Sequence, residues 1–286
     1  MTRRALIIAN KWWEADPLVD VLSSSRSTPS LVRFIHKSER AGLRGIVEPS
    51  RGRIEIWCLQ ECMSPSKSGS STEEKARVLP EIVGGDDIVL VVAFGTAATP
   101  TQASLNGSVV IGTNTFMFDP GAKDSTSHWK PPSLGKLISS SLDITTFAAL
   151  TSESAYAHDV DSRFIPVPLN PASQPALKTD RDYVALADIN VTNYADYSWA
   201  DPLVVQAYES LELTQPIGSL DTTHAVVRAC TKAPFMFVSG ITDRVGFFSS
   251  EVSPAPYGQN FVAAHNAALA VAFAIPAITS VILSAS

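Results

Sequence analysis

The sequence is short of the residues that mark several common kinds of protein. Its 286 residues include three cysteines, Cys58, Cys62 and Cys230. An odd, small number does not make the disulfide framework of a small secreted domain, so free thiols in a reducing compartment are expected. Cys58 and Cys62 stand four apart with no histidine near them, too few ligands for a zinc site. Basic tracts are missing too. The formal net charge is −6, which argues against nucleic-acid binding driven by phosphate neutralisation. There is no Gly-x-Gly-x-x-Gly fingerprint and no P-loop lysine, so nicotinamide dinucleotide and nucleoside triphosphate readings lose support. The apolar run Ala5-Leu-Ile-Ile-Ala9 is too short for a signal-peptide core and lacks a small-residue cleavage site. A cytoplasmic protein is therefore expected.

What is present suits a sizeable core. Hydrophobic residues make up 45 % of the chain and charged residues 17 %, a balance that argues against disorder. Strand-like runs occur at 5–9, 53–59, 87–94, 108–111, 183–187 and 235–238. Several are continuously apolar, as strands covered on both faces are. Helical patterns lie between them at 14–22, 73–82, 200–211, 222–231 and 259–273. The alternation predicts an α/β fold: a single domain over residues 1–286, three layers α/β/α, with a twisted, mixed but mainly parallel central sheet. The stretches 64–72, 120–132 and 166–175 read as loops. The apolar segment 261–283 is interrupted by His265, Asn266 and Pro276, so a buried or oligomer-facing helix is expected rather than a membrane span.

In open α/β sheets ligands bind beyond the carboxyl ends of the strands, and four segments there carry chemistry. Glu14 follows the first strand, near the start of a helix, where a carboxylate suits either the helix dipole or a general base. In Phe94-Gly-Thr-Ala-Ala98 a buried strand runs into small residues, read as a turn whose backbone N–H groups can approach a ligand closely. Asp221 and His224 lie before and in a helix, fitting an N-cap and a helix histidine, or a site for sugar hydroxyls. Asp243 ends the strand-like run Pro234-Phe-Met-Phe-Val-Ser-Gly-Ile-Thr-Asp243, placed to cap a helix, to pair with Arg244 or to donate a proton.

In order and spacing these segments resemble the nucleoside phosphorylase/nucleosidase superfamily, closest in type to the methylthioadenosine/S-adenosylhomocysteine nucleosidases. Glu14 matches the water-activating glutamate. Phe94-Gly-Thr-Ala-Ala98 matches the Gly-Ser/Thr-Ala-Gly-Gly turn near the nucleophile. Leu220-Asp221 matches the Met-Glu pair whose acid holds the ribose hydroxyls, and Ile241-Thr-Asp243 the Ile-Ser-Asp signature whose acid protonates the leaving base. The departures are Asp221 for the usual Glu, Ser239 where many nucleosidases have Arg, Ala98 for a Gly, and no Ser-Gly-Asp-x-Phe pattern near 186–194.

The resemblance implies cleavage of an N-glycosidic bond in a nucleoside-like small-molecule substrate. Glu14 and Asp243 would be catalytic, with Thr96, Ala97, Asp221, His224, Asn190 and Phe116 around the substrate. It implies no metal or redox cofactor, and a homo-oligomer. Ala15-Asp-Pro-Leu-Val19 keeps the Asp-Pro of the phosphorylases' Gly-Asp-Pro-x-Arg motif without its arginine, which favours water over phosphate as the nucleophile. Phosphorolysis and a catalytically inactive nucleoside-binding protein are the alternatives.

Overall fold

The computed structural model describes residues 2–24, 33–36, 40–49, 52–63, 72–99, 107–118, 137–138, 140–142, 184–186, 189–193, 217–244, 247 and 256–285. Twelve strands join in one sheet. They are β1 (Arg4–Ala9), β2 (Arg33–His36), β3 (Leu43–Glu48), β4 (Arg53–Cys58), β5 (Ile88–Thr99), β6 (Val109–Gly112), β7 (Asn114–Phe118), β8 (Leu137–Ile138), β9 (Val184–Leu186), β10 (Ile189–Asn193), β11 (Ile217–Asp221) and β12 (Phe235–Arg244). The described helices are α1 (Trp12–Ser23), α2 (Leu59–Cys62), α3 (Thr72–Val83), α4 (His224–Cys230) and α5 (Pro256–Ser284).

The inner strands β4, β1, β5 and β12 run parallel to one another. Antiparallel pairs β2–β3 and β3–β4 close one edge, so the sheet is mixed, as the sequence pattern predicts. That hairpin was not among the predicted strands: Leu43–Glu48 alternates buried with half-buried residues rather than forming an apolar run.

The continuous apolar strands are explained by helices on both faces. Ala5, Ile7, Ala9, Leu90, Val92, Phe94, Met236 and Val238 join one buried cluster with Leu18, Leu22 and the apolar residues of α5. Leu6, Ile8, Val91, Ala93, Phe235 and Phe237 alternate with them and join a second cluster with Leu79 and Ile82 of α3 and Val226 and Val227 of α4. The result is the expected three-layer α/β/α arrangement.

α5 is long and apolar enough by composition to cross a membrane, yet much of it is buried against the sheet and α1. The close approach depends on Gly240, where a Cβ would lie 2.1 Å from the Ala263 carbonyl oxygen. The polar interruption has a use: Asn266 Nδ2 donates to the Gly107 carbonyl at 2.8 Å. α5 also continues through Pro276 for two further turns, past the predicted end at 273.

One expectation is corrected. Residues 95–99 are not a turn; β5 runs straight through to Thr99. The small side chains serve close packing inside a strand. The predicted helix at 200–211 and the loops at 64–71, 120–132 and 166–175 lie outside the described residues.

Candidate active site

β5 is where the site is assembled. β1 pairs with β5 only as far as Ala9 beside Phe94, and β11 first meets β5 at Leu220 beside Ala98. The edge of β5 between these points is left to side chains. Glu14, on the first turn of α1 and 4 % exposed, fills that gap. Its Oε1 accepts the Thr96 N–H and the Thr96 hydroxyl, both at 2.8 Å. Its Oε2 accepts the N–H groups of Asn10 at 3.0 Å and Lys11 at 2.9 Å. A carboxylate offers about four lone-pair sites, and these four donors use them. Two of the four donors are the amides that lead into its own helix. Gly95 makes this possible, since a Cβ there would stand 2.8 Å from Oε1.

Asp243 lies on the other side of β5. The β12–β5 register slips between Ile241 and Asp243, so that Asp243 comes opposite Ala98. Such a bulge re-aims the side chains that follow it. Thr242 is the extra residue. Its Oγ1 lies 2.5 Å from Asp243 Oδ1 and 3.2 Å from the Ala97 carbonyl oxygen. One hydroxyl hydrogen serves one of these at a time. Asp243 is 4 % exposed, with the Thr242 hydroxyl against its carboxyl.

Asp221 ends β11, one residue after the Leu220 that pairs with Ala98. Its carboxylate accepts the His224 N–H, 3.0 Å from Oδ2, the first N–H of α4, while Thr223 is the N-cap residue. His224 Nδ1 lies 3.2 Å from Asp221 Oδ2 and 3.2 Å from Ser239 Oγ, which in turn is 3.2 Å from Ser219 Oγ. All four residues are buried, and the ring stacks on Phe237 with centroids 5.6 Å apart. Burial pushes His224 below its ordinary value and keeps it neutral. Asp221 and Glu14 favour its protonation, and Lys75 opposes it.

The structure thus brings Glu14, Thr96, Ala97, Asp221, His224 and Asp243 together around residues 96–98. Asn190 is paired with Ser219 and Thr115, two positions short of Asp221, whose own neighbour on β10 is Thr192. Phe116 pairs with Val191 on β7.

Three contributors escaped sequence reasoning. Thr242 is visible only once the bulge is known. Ser239 gains meaning only from its contact with His224. Lys75 did leave a signal: with Val78, Leu79 and Ile82 it falls at the i, i+3, i+4, i+7 spacing of the buried face of α3, and it is fully buried. The cysteines stand apart from the chemistry. Burial pushes the Cys58 thiol up to about 12 and the Cys62 thiol up to about 11, so neither is a nucleophile at neutral pH. Among the described residues no group of three or more His, Cys, Asp or Glu side chains is placed to hold a metal.

No protein-family model matches the sequence, and no curated protein matches it. Solved structures do. A 5′-methylthioadenosine/S-adenosylhomocysteine nucleosidase from Neisseria meningitidis, in complex with methylthio-immucillin-A, is 15 % identical with a TM-score of 0.60, over 96 % of this chain and 99 % of that one. The chain has the nucleosidase fold. A nucleosidase of the same name from Colwellia psychrerythraea, in complex with adenine, matches at 13 % identity and a TM-score of 0.60, over 96 % of each chain. Futalosine hydrolase of Helicobacter pylori matches at 11 % identity and a TM-score of 0.61, over 97 % of this chain and 99 % of that one. The shared fold extends over nearly the whole chain.

Proposed function

We propose that this protein hydrolyses the N-glycosidic bond of a purine nucleoside or a 5′-substituted relative. The observation that carries the proposal is the convergence of Glu14, Asp221 and Asp243, distant in sequence, on one short stretch of β5. Glycosidic cleavage passes through an oxocarbenium-like state, so an acid is needed at the leaving base and a nucleophile at the sugar. Asp243 donates a proton to the base. Asp221 accepts from the sugar hydroxyls while its other contacts hold it to α4. Glu14 orients the attacking water. It takes up the water's proton as the bond to the electron-poor sugar carbon forms. For Glu14 to accept from the water, the Thr96 hydroxyl must turn from Oε1 toward the water oxygen, a rotation about one bond.

Hydrolysis is favoured over phosphorolysis by the same geometry. The amides of Asn10, Lys11 and Thr96, which could otherwise cradle an anion, are occupied by the protein's own carboxylate. Arg44 is held in ion pairs with Asp16 and Glu61. The likeness to nucleosidases in complex with adenine and with methylthio-immucillin-A supports a purine-type substrate.

The test is release of free base from a panel of purine nucleosides, 5′-methylthioadenosine and S-adenosylhomocysteine included, with and without phosphate. Phosphate-independent release is expected. Strict dependence on phosphate would establish the phosphorylase instead, and binding without release a sensor.

A further inference from the structure

Lys75 is fully buried on α3, and nothing in the proposed reaction uses it directly. Its ammonium lies 3.0 Å from the Thr222 carbonyl oxygen, 3.2 Å from Thr222 Oγ1 and 3.0 Å from Thr223 Oγ1. An ammonium carries three hydrogens, and these three oxygens lie within their reach. The partners lie 147 and 148 positions away in sequence, so this is a tertiary contact between helix and turn. A buried charge is costly to leave in place unless it is well partnered, and an apolar residue at 75 would complete the stripe of Val78, Leu79 and Ile82. Retaining lysine there calls for a reason other than packing.

The turn it grips supplies that reason. Thr222 and Thr223 are the two residues between Asp221, the last of β11, and His224, the first of α4. The Asp221 carboxylate is fixed to His224 at both the backbone and the ring. Asp221 is also one carbon shorter than the glutamate at the matching position of the resembled family, so small movements of the backbone count for more. We propose that Lys75 is a positioning residue: by clamping the turn at Thr222 and Thr223 it holds the Asp221 carboxylate at the height where sugar hydroxyls are received. The proposal rests on the nucleosidase reading for the identity of what Asp221 receives, and on the three contacts above for the clamp itself.

The experiment compares Lys75→Met with Val78→Ala, a core truncation on the same face of α3 that removes no hydrogen bond from the turn. Both are expected to lower thermal stability. In Lys75→Met, KM for the nucleoside that wild type cleaves best should rise by about tenfold, with kcat within about threefold. Amide exchange at residues 221–224 should accelerate by about tenfold while the rest of the sheet keeps its protection. Val78→Ala should do neither. Should Lys75→Met fail to fold, Thr223→Val removes one of the three acceptors from the other side and should raise KM in the same way. Kinetics and exchange in Lys75→Met, or in Thr223→Val, that match those of Val78→Ala would overturn the proposal. If wild type releases no base from any nucleoside, the nucleosidase reading falls and takes the sugar role with it. The exchange measurement then judges the clamp alone.

Discussion

Glu14 Oε1 accepts two hydrogen bonds from a single residue, the backbone N–H and the hydroxyl of Thr96, each at 2.8 Å. The contact joins the first helix to the end of the central strand, across 82 positions of sequence. Glu14 thereby stands in for a missing strand neighbour and also sits where the proposed nucleophile must bind.

Glu14→Gln should show both roles at once. An amide offers one acceptor oxygen to the four donors and brings two hydrogens of its own. Leaving buried donors unanswered costs about 1–3 kcal/mol each, so thermal unfolding should shift downward clearly. Turnover should fall by about a hundredfold to ten-thousandfold. Unchanged stability in this variant would mean that the four contacts do not persist in solution.

Gly95→Ala changes no charge yet should impair the site. The new methyl would meet Glu14 Oε1 at 2.8 Å, and a carboxylate held by four donors cannot step aside without breaking some of them. A fall in kcat with a modest fall in melting temperature is expected from kinetics and calorimetry. Full activity would show that Glu14 has room to move.

Asp243→Asn removes the proton donor while keeping the volume. Base release should drop by about a hundredfold to ten-thousandfold, with circular dichroism and melting temperature near wild type. Turnover like that of wild type would remove Asp243 from the mechanism.

His224 predicts a pH dependence of stability. Burial holds its folded-state pKa below the ordinary 6.5. As pH falls below that value, the unfolded chain gains a proton that the folded protein does not take up. Stability contributed by the neutral ring is therefore present above about pH 6.5 and is lost as pH falls toward the depressed folded value, at up to about 1.4 kcal/mol per pH unit. His224→Asn should flatten the denaturation midpoint between pH 6.5 and 5 relative to wild type. Identical slopes would show that the ring protonates freely in the folded state.

The thiols behave in the opposite sense. Burial raises Cys58 to about 12 and Cys62 to about 11 from an ordinary 9.0. Native protein at pH 8 should react with iodoacetamide much more slowly than urea-unfolded protein, and stability should decline as pH rises above 9, where only unfolded thiols ionise. Fast modification of Cys58 in the native state would contradict its burial.

Much of the fold was legible because it follows from local pattern. Runs such as Leu6-Ile-Ile8 and Phe235-Met-Phe237 are apolar at every position, which only a strand covered on both faces requires. Less was legible where small residues serve more than one purpose. Gly95-Thr-Ala-Ala98 reads as a turn in the sequence, but β12 on one side, with Glu14 and then β11 on the other, keeps it extended. The β2–β3 hairpin was not legible, because the half-buried strand β3 borrows its regularity from β4. Of the site, the carboxylates could be named from their places after strands. The residues around them could not: Thr242 matters because of a bulge, and Lys75 because it reaches a turn 147 positions away.

Periodicity and composition by themselves determined that this chain makes an α/β protein with strands buried on both faces, since hydrophobic burial is written residue by residue along the chain. Only the tertiary structure decided that Glu14, Asp221 and Asp243 gather around Thr96, Ala97 and Ala98. That gathering depends on where β1 stops, where β11 joins and where β12 slips its register, and such pairings are fixed by contacts between distant segments that no local stretch of sequence encodes.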